Sequence, residues 1–456
     1  MPSSHFPASP LRRLPLAALL SLAFAGASQA QSLVDIYEMA KGYDATYLSA
    51  KAQYDANLAK ADQGKAQLLP LVALSGGATR NQLEAHSTPA NSSFAQDRSF
   101  TTQTAGINAT QPLYRPANLA AYRQSQKGLE LAEAALSQAD QDLIVRVSQA
   151  YFDVLTAQDS LTLVQAQKAA VAEQLASAKR NFEVGTATIT DTREAQARHD
   201  LVTAQEIAAD NDLRVKTVAL ELLVGKVGLK PQRIRPAATL PPVDGQGVDS
   251  WIAQGEQVHP AIRLARANLD VAKLETEKAV AGHKPTVDFT LGYNVQKNLN
   301  GTNVSNFQGF TTQATVKSAG ITATLPIYAG TATQNRIRET TALEEKARMD
   351  LDGAQRLVTQ ATRTAYLGLQ SGLGQVKAYE AAEASSQVAL DANKLGYQVG
   401  VRINIDVLNS QSQLFQTKRD LAKARFDVLI GQLKLRQAAG VLKAEDLQPI
   451  NALLAP

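Results

Sequence analysis

The chain carries one long unit written twice, in register, about 215 residues apart. Tyr151 pairs with Tyr366, Phe182–Gly185 with Tyr397–Gly400, Asp191 with Asp406 and Pro70 with Pro285, all at that offset. The run Gly106–Tyr114 matches Gly320–Tyr328 one residue short of it. Solenoid repeats run to about 20–50 residues, so this is a duplicated half-structure. Any fold for the chain therefore has internal pseudo-symmetry.

Residues 1–30 stand outside the duplication. Arg12 and Arg13 precede an apolar run from Leu14 to Ala27, and Ser28–Ala30 supplies a small-x-small cleavage pattern. This is the layout of a secretory signal peptide, and its apolar run is shorter than the about 20 residues a membrane helix needs. Its removal takes Lys+Arg from 46 to 44 against 42 Asp+Glu, a nearly neutral balance that gives no electrostatic case for nucleic acid. Cysteine is absent, which excludes a disulfide framework and an N-terminal lipidated Cys. With no later apolar stretch of helical membrane length, a membrane form of the exported chain must use β-strands.

Proline divides the remainder. Residues 117–230 and 327–448 contain none and are rich in Ala, Gln, Leu, Lys and Glu, strong helix formers. Ile144, Val147, Tyr151, Val154 and Leu161, and again Tyr366, Leu369, Leu373 and Val376, fall at a/d-like spacing and predict a coiled-coil seam. An unbroken helix from Ala117 to Val184 is roughly 100 Å long. Gly185 and Gly400 end the long helices as turn residues needing positive φ, and second arms return over about 191–226 and 406–439.

The segments between prolines alternate instead. Val287, Phe289, Leu291, Tyr293 and Val295 interleave with polar or small residues, a period of two over a length that fits a tilted transmembrane strand of about 9–11 residues. Residues 100–111 and 310–325 read as further strands with a phase change, read as a bulge, near Gly106 and Gly320; Leu71–Arg80, which alternates poorly, is a fourth. His86–Arg98 and Gln296–Gly309 read as polar external loops, with Phe94, Phe100, Phe307 and Phe310 as aromatic-girdle residues. Four strands cannot close in lipid, since open edges leave backbone groups unsatisfied and barrels start at about eight strands. A membrane barrel must be shared, eight strands from two chains or twelve from three.

The expected organisation is a signal peptide (1–30), a first repeat (31–230: helix, strand pair about 70–112, hairpin 117–226), a linker (231–250), a second repeat (251–441: helix, strand pair about 285–326, hairpin 330–439) and a terminal segment (442–456). Pro70, Pro112, Pro285 and Pro326 mark the junctions between helices and strands.

Ala150–Leu155, Phe182–Asp191, Tyr397–Arg402 and Asn404–Asn409, together with the duplication, resemble the TolC family of outer-membrane efflux and type I secretion channels, over essentially the whole mature chain. The resemblance implies a mainly α, mixed fold. It implies a homotrimer with a twelve-stranded β-barrel in the outer membrane and a twelve-helix periplasmic α-barrel, girdled by a mixed equatorial belt built from the N-terminal helix, the linker at 231–260 and the C-terminal 442–456 segment. It further implies a passive duct in outer-membrane lipid, without cofactor. A periplasmic adaptor joins it to an inner-membrane transporter, either a proton-driven RND-type pump or an ABC exporter. In such channels an Asp and a Thr of the first hairpin bond a Tyr and an Arg of the second to hold the periplasmic tip shut; the matching positions are Thr190, Asp191, Tyr397 and Arg402. Asp406 matches an acidic ring at the constriction, and Asn409 stands where TolC has a second Asp, so that restoring Asp there is expected to strengthen cation block.

The plainer reading makes Asp191, heading a box with Glu194, and Asp406 helix N-caps. Tyr151 and Tyr366 read as seam packing. No enzyme motif competes: four histidines remain after residue 30, none in an HxxxH pair, and there is no nucleotide-binding GxxxxGK[ST] loop or GxSxG elbow. The alternative function is a periplasmic coiled-coil adaptor or structural rod, neither of which explains the duplicated amphipathic strands.

Overall fold

The structure, a computed structural model, describes residues 31–87, 94–235, 247–300 and 311–455. Two short helices, two strands and a long helical hairpin occur in that order, twice. The first set is α1 (Leu33–Lys41), α2 (Ala45–Ala66), β1 (Leu71–Ser87), β2 (Phe94–Tyr114), α3 (Pro116–Glu183) and α4 (Ile189–Val224). The second is α5 (Val248–Val258), α6 (Pro260–Val280), β3 (Thr286–Leu299), β4 (Thr312–Thr324), α7 (Ala332–Gln398) and α8 (Asn404–Ala438), after which a short α9 (Gln448–Asn451) ends the fold. The signal peptide lies outside the described residues.

α3 and α7 run unbroken for 68 and 67 residues, about 100 Å each. Their composition lets them: no proline interrupts either, and Pro116 sits at the first turn of α3, where its missing N–H costs nothing. Gly185 and Gly400 end the helices with φ of +80° and +78°, a conformation that other residues adopt only at a cost. Thr186 N–H then reaches back to Asn181 O, and Val401 N–H to Gly396 O, the bonds that close a helix end with a left-handed residue.

The four strands form one antiparallel sheet in chain order. Residues directly opposite share a face, so the register sorts the side chains. Val72, Leu74, Ile107, Leu291, Tyr293 and Ile321 fall on one face, and all are exposed. The other face carries a polar ladder in which Asn81 donates to Thr102, Thr102 to Asn298, and Asn298 to Thr312. The expected bulges at Gly106 and Gly320 are absent, since pairing runs unbroken through both. The glycine at 106 instead clears space, because a Cβ there would collide with the Asn294 amide. Asn294 and Asn108 exchange hydrogen bonds across β2 and β3. The register shifts only between Pro112 and Tyr114 among the described pairings, at a residue that cannot donate to a ladder.

Three other expectations are corrected. β1 and β2 run on to Ser87 and from Phe94, and β3 to Leu299, through much of what the sequence presents as loops. Polar residues suit a strand whose neighbours complete its ladder. Phe100 lies opposite Asn81 on the polar face, whereas Phe289, opposite Ile321, and Tyr293 are aromatics of the apolar face; the Phe94 side chain, Phe307 and Phe310 lie outside the described residues. Pro112 lies within β2, whereas Pro70, Pro285 and Pro326 flank strands.

The largest core is a belt around α3 rather than a two-helix seam. Ile144, Val147, Tyr151 and Val154 are buried against Leu33, Ile36 and Tyr37 of α1, Phe426 and Leu429 of α8, and Leu447 and Ile450 near the C-terminus. Tyr151 Oη donates to Gln232 O at 2.8 Å, and Gln31 and Ile234 bridge Pro231 and Leu454, tying the linker and the C-terminus to the belt. Asp44 caps α2 through Tyr47 N–H and receives Arg146 on both oxygens at 2.9 Å. The heptad seam itself lies further along, at Val164, Val171, Leu175 and Ala178 against Ala195 and Val202 of α4; Leu161 is only half-buried. In the second half Leu369 and Val376 pack with Trp251 and α8, and Tyr366 and Leu373 lean on that cluster. The sequence spacing is common to belt and seam, and what covers α3 at each level decides between them.

Candidate functional site at the hairpin tips

The two hairpin turns lie side by side. Asp191, Tyr397, Arg402 and Asn404 line one cleft of about 790 Å³ between the first turns of α4 and α8 and the ends of α3 and α7.

Asp191 is not an N-cap and does not pair with Glu194. The cap is Thr188: its Oγ1 accepts from Asp191 N–H, and the Asp191 carboxylate receives Thr188 N–H at 2.9 Å and Thr188 Oγ1–H at 2.7 Å. This is a capping box one residue triplet earlier than the sequence suggests, because the helix starts at Ile189. Asp406 is not a cap either. α8 starts at Asn404 after Ile403, which offers no side-chain cap, so Asp406 lies in the first turn. There its negative charge still suits the positive helix end.

Arg402 pairs with Asp406 of its own hairpin at 3.7 Å, with side chains 58% and 34% exposed. Exposure and distance hold such a pair to about 0.3–0.5 kcal/mol. Tyr397 Oη accepts from Asn181 Nδ2 at 3.3 Å, a contact between hairpins. Thr190 is exposed. Among the described residues no hydrogen bond joins Thr190 or Asp191 to Tyr397 or Arg402 within one chain, although the fold brings three of the four to one cleft.

What clasps the hairpins within the chain is Asn404, fully buried. Its Nδ2 donates to Asp191 O at 3.2 Å, and its Oδ1 accepts from Gln174 Nε2. Asn409 is also engaged across the hairpins, its Oδ1 accepting from Arg198 Nη2 at 2.8 Å. Sequence reasoning assigned no role to Asn404, Asn181 or Arg198. A signal existed, because at the repeat offset Asn404 replaces Ile189, Arg402 replaces Ala187 and Asn181 replaces Gly396. Polar residues in one repeat and not the other mark contacts that the two halves do not share. No group of His, Asp and Glu suited to a metal gathers among the described residues.

Two long helical hairpins, a sheet with one exposed apolar face and a polar cluster at the tips define a class, a channel subunit joining membrane strands to a helical conduit. The outer membrane efflux protein family matches residues 36–226 and again 251–441, the two matches displaced by 215 residues. The chain belongs to that family, one of outer-membrane channels rather than enzymes. It is 32% identical over 428 residues to outer membrane protein TolC of Vibrio cholerae, covering 93% of this chain and 94% of that one. It is 30% identical to the alkaline protease secretion protein AprF of Pseudomonas aeruginosa, covering 93% and 87%. Among solved structures, the outer membrane protein VceC of Vibrio cholerae superposes with a TM-score of 0.75 at 18% identity, over 90% of this chain and 96% of that one. The protein is an outer-membrane exit duct of the efflux and secretion type.

Proposed function

We propose that three copies of this chain assemble head to tail into one duct, with residues 31–230 and 251–441 as its alternating structural repeats. The observation that carries this reading is a set of contacts made in only one direction. The first repeat meets the second through β2 on β3, α3 on α6 and α3 on α8. Among the described residues of one chain, the reverse contacts, β4 on β1, α7 on α2 and α7 on α4, have no comparable counterpart. The surfaces concerned are exposed and apolar: Leu357, Leu367 and Val388 of α7, Leu58 of α2, and Ile207, Val215 and Val218 of α4. α7 buries six residues where α3 buries eighteen. Supplying the reverse contacts from the next copy gives a heterologous interface that closes into a ring. It also pairs the free edges of β1 and β4, as lipid requires. Three copies give a twelve-stranded barrel and twelve helices.

In this assembly the tips are the gate. Thr190 and Asp191 of one hairpin and Tyr397 and Arg402 of another lock it, the Asp406 carboxylates ring the constriction, and Asn409 lies one turn along. A periplasmic adaptor holds the helical hairpins and opens the tip by binding its open state more tightly. An inner-membrane transporter supplies the energy. Relatives named for alkaline protease secretion and for efflux support both a protein-secretion and an efflux partner.

The test is single-channel conductance of the purified mature protein in planar bilayers, wild type beside Asp406→Ala. Small cation-selective steps that lose selectivity in the variant are expected. Steps unchanged by the substitution would remove Asp406 from the constriction, and folded protein that forms no channels would overturn the duct.

A further inference from the structure

Most arginines that cross between elements meet a carboxylate. Arg115 pairs with Asp288, Arg146 with Asp44, Arg336 with Glu275, Arg425 with Glu380 and Arg436 with Asp446. Among the described residues, Arg198 and Arg419 have no carboxylate within ion-pair distance. Arg198 donates to the Asn409 carbonyl, and Arg419 to Gln167 Oε1 at 3.3 Å and Gln416 Oε1 at 2.6 Å. All three acceptors are neutral amides.

Both guanidiniums line a single cleft of about 380 Å³ between α3, α4 and α8, and no Asp or Glu lines it. Each guanidinium has five N–H donors, and the amides occupy a minority of them. Burial pushes the Arg419 guanidinium below its usual range, opposed by the charge of its neighbour Asp420. A half-buried cation hydrogen-bonded to neutral amides, with no carboxylate in direct contact, keeps an electrostatic demand that a planar fork of donors meets best with an oxyanion. Along α8 the cleft begins one turn above Asp406 and reaches about 20 Å beyond it, so an acidic tip is followed by a cationic recess.

We propose that this cleft is an anion site, taking a phosphate-like oxyanion between Arg198 and Arg419. It does not depend on the duct reading, because binding rather than conduction is measured. The experiment is equilibrium dialysis of the purified full-length protein in detergent against radiolabelled inorganic phosphate at low ionic strength. Saturable binding of one phosphate per chain is expected. Arg198→Gln and Arg419→Gln should each weaken it about tenfold or more, and the double variant should abolish it. Gln is shorter and uncharged but keeps a polar N–H donor, and an unchanged circular dichroism spectrum excludes loss of fold. Absence of saturable binding, or binding equal in the double variant, would overturn the site.

Discussion

Asn404→Ala should loosen the tips. The side chain is fully buried and makes two hydrogen bonds between hairpins, to Asp191 O and from Gln174 Nε2. Each is worth a net ~1 kcal/mol. The groups left behind add little: Asp191 O lies in the first turn of α4, where the helix also uses it, and Gln174 is half-buried and reaches water. The loss is therefore about 2 kcal/mol per chain, roughly a thirtyfold shift towards unclasped hairpins, and it is multiplied where three chains move together. The assay is conductance in planar bilayers, in which the variant should show larger steps and a higher open fraction. Asn404→Asp should do the same despite keeping an acceptor for Gln174, because it sets a carboxylate against the Asp191 carbonyl. A double-mutant cycle with Gln174→Ala should return a coupling of about 1 kcal/mol. Wild-type steps and open fraction from folded Asn404→Ala protein would refute the clasp.

Arg402→Ser should leak ions in the same bilayers, since it removes the proposed lock and the partner of Asp406; unchanged conductance would count against the lock. Asn409→Asp alone should change multivalent-cation block little, because Arg198 already faces that position at 2.8 Å and would pair with the new charge. Adding Arg198→Gln should then expose the carboxylate and strengthen block, as titration with a trivalent cation would read. Arg146 hydrogen bonds hold the Asp44 carboxyl below its ordinary value, against the opposing effect of burial. A depressed folded pKa contributes stability that is complete above the unfolded value and is lost as pH falls. Melting temperature should therefore decline below about pH 4, and Asp44→Asn should flatten that part of the profile.

The duplication, the two long helices and their glycine turns were legible because each is encoded locally. Proline-free, helix-forming runs propagate through bonds four residues apart, and Gly185 and Gly400 announce a backbone that other residues resist. Period-two alternation likewise marked β3. β1 read poorly because the Gly76–Gly77 pair lacks side chains to alternate, and only the register assigned its faces. Capping was misplaced by one triplet, since Thr188 and Asp191 both satisfy the chemistry and only the actual helix start chooses between them.

The sequence by itself determined that the protein is a duplicated, exported chain of long hairpins and amphipathic strands, with its polar tip residues near two turns. Tertiary structure alone decided which of those residues meet. Asn404 faces Asp191 and Gln174, and Arg198 faces Asn409, across more than 200 residues of chain. Such meetings depend on the rotation and axial stagger of four packed helices. A shift of one residue turns a helical side chain by about 100°, so composition and spacing leave them open. Packing likewise made Tyr151 a belt residue and left its repeat mate Tyr366 at the edge of a smaller cluster. The two halves share a pattern, but α1 and the C-terminal segment pack in the cluster of Tyr151 and not in that of Tyr366.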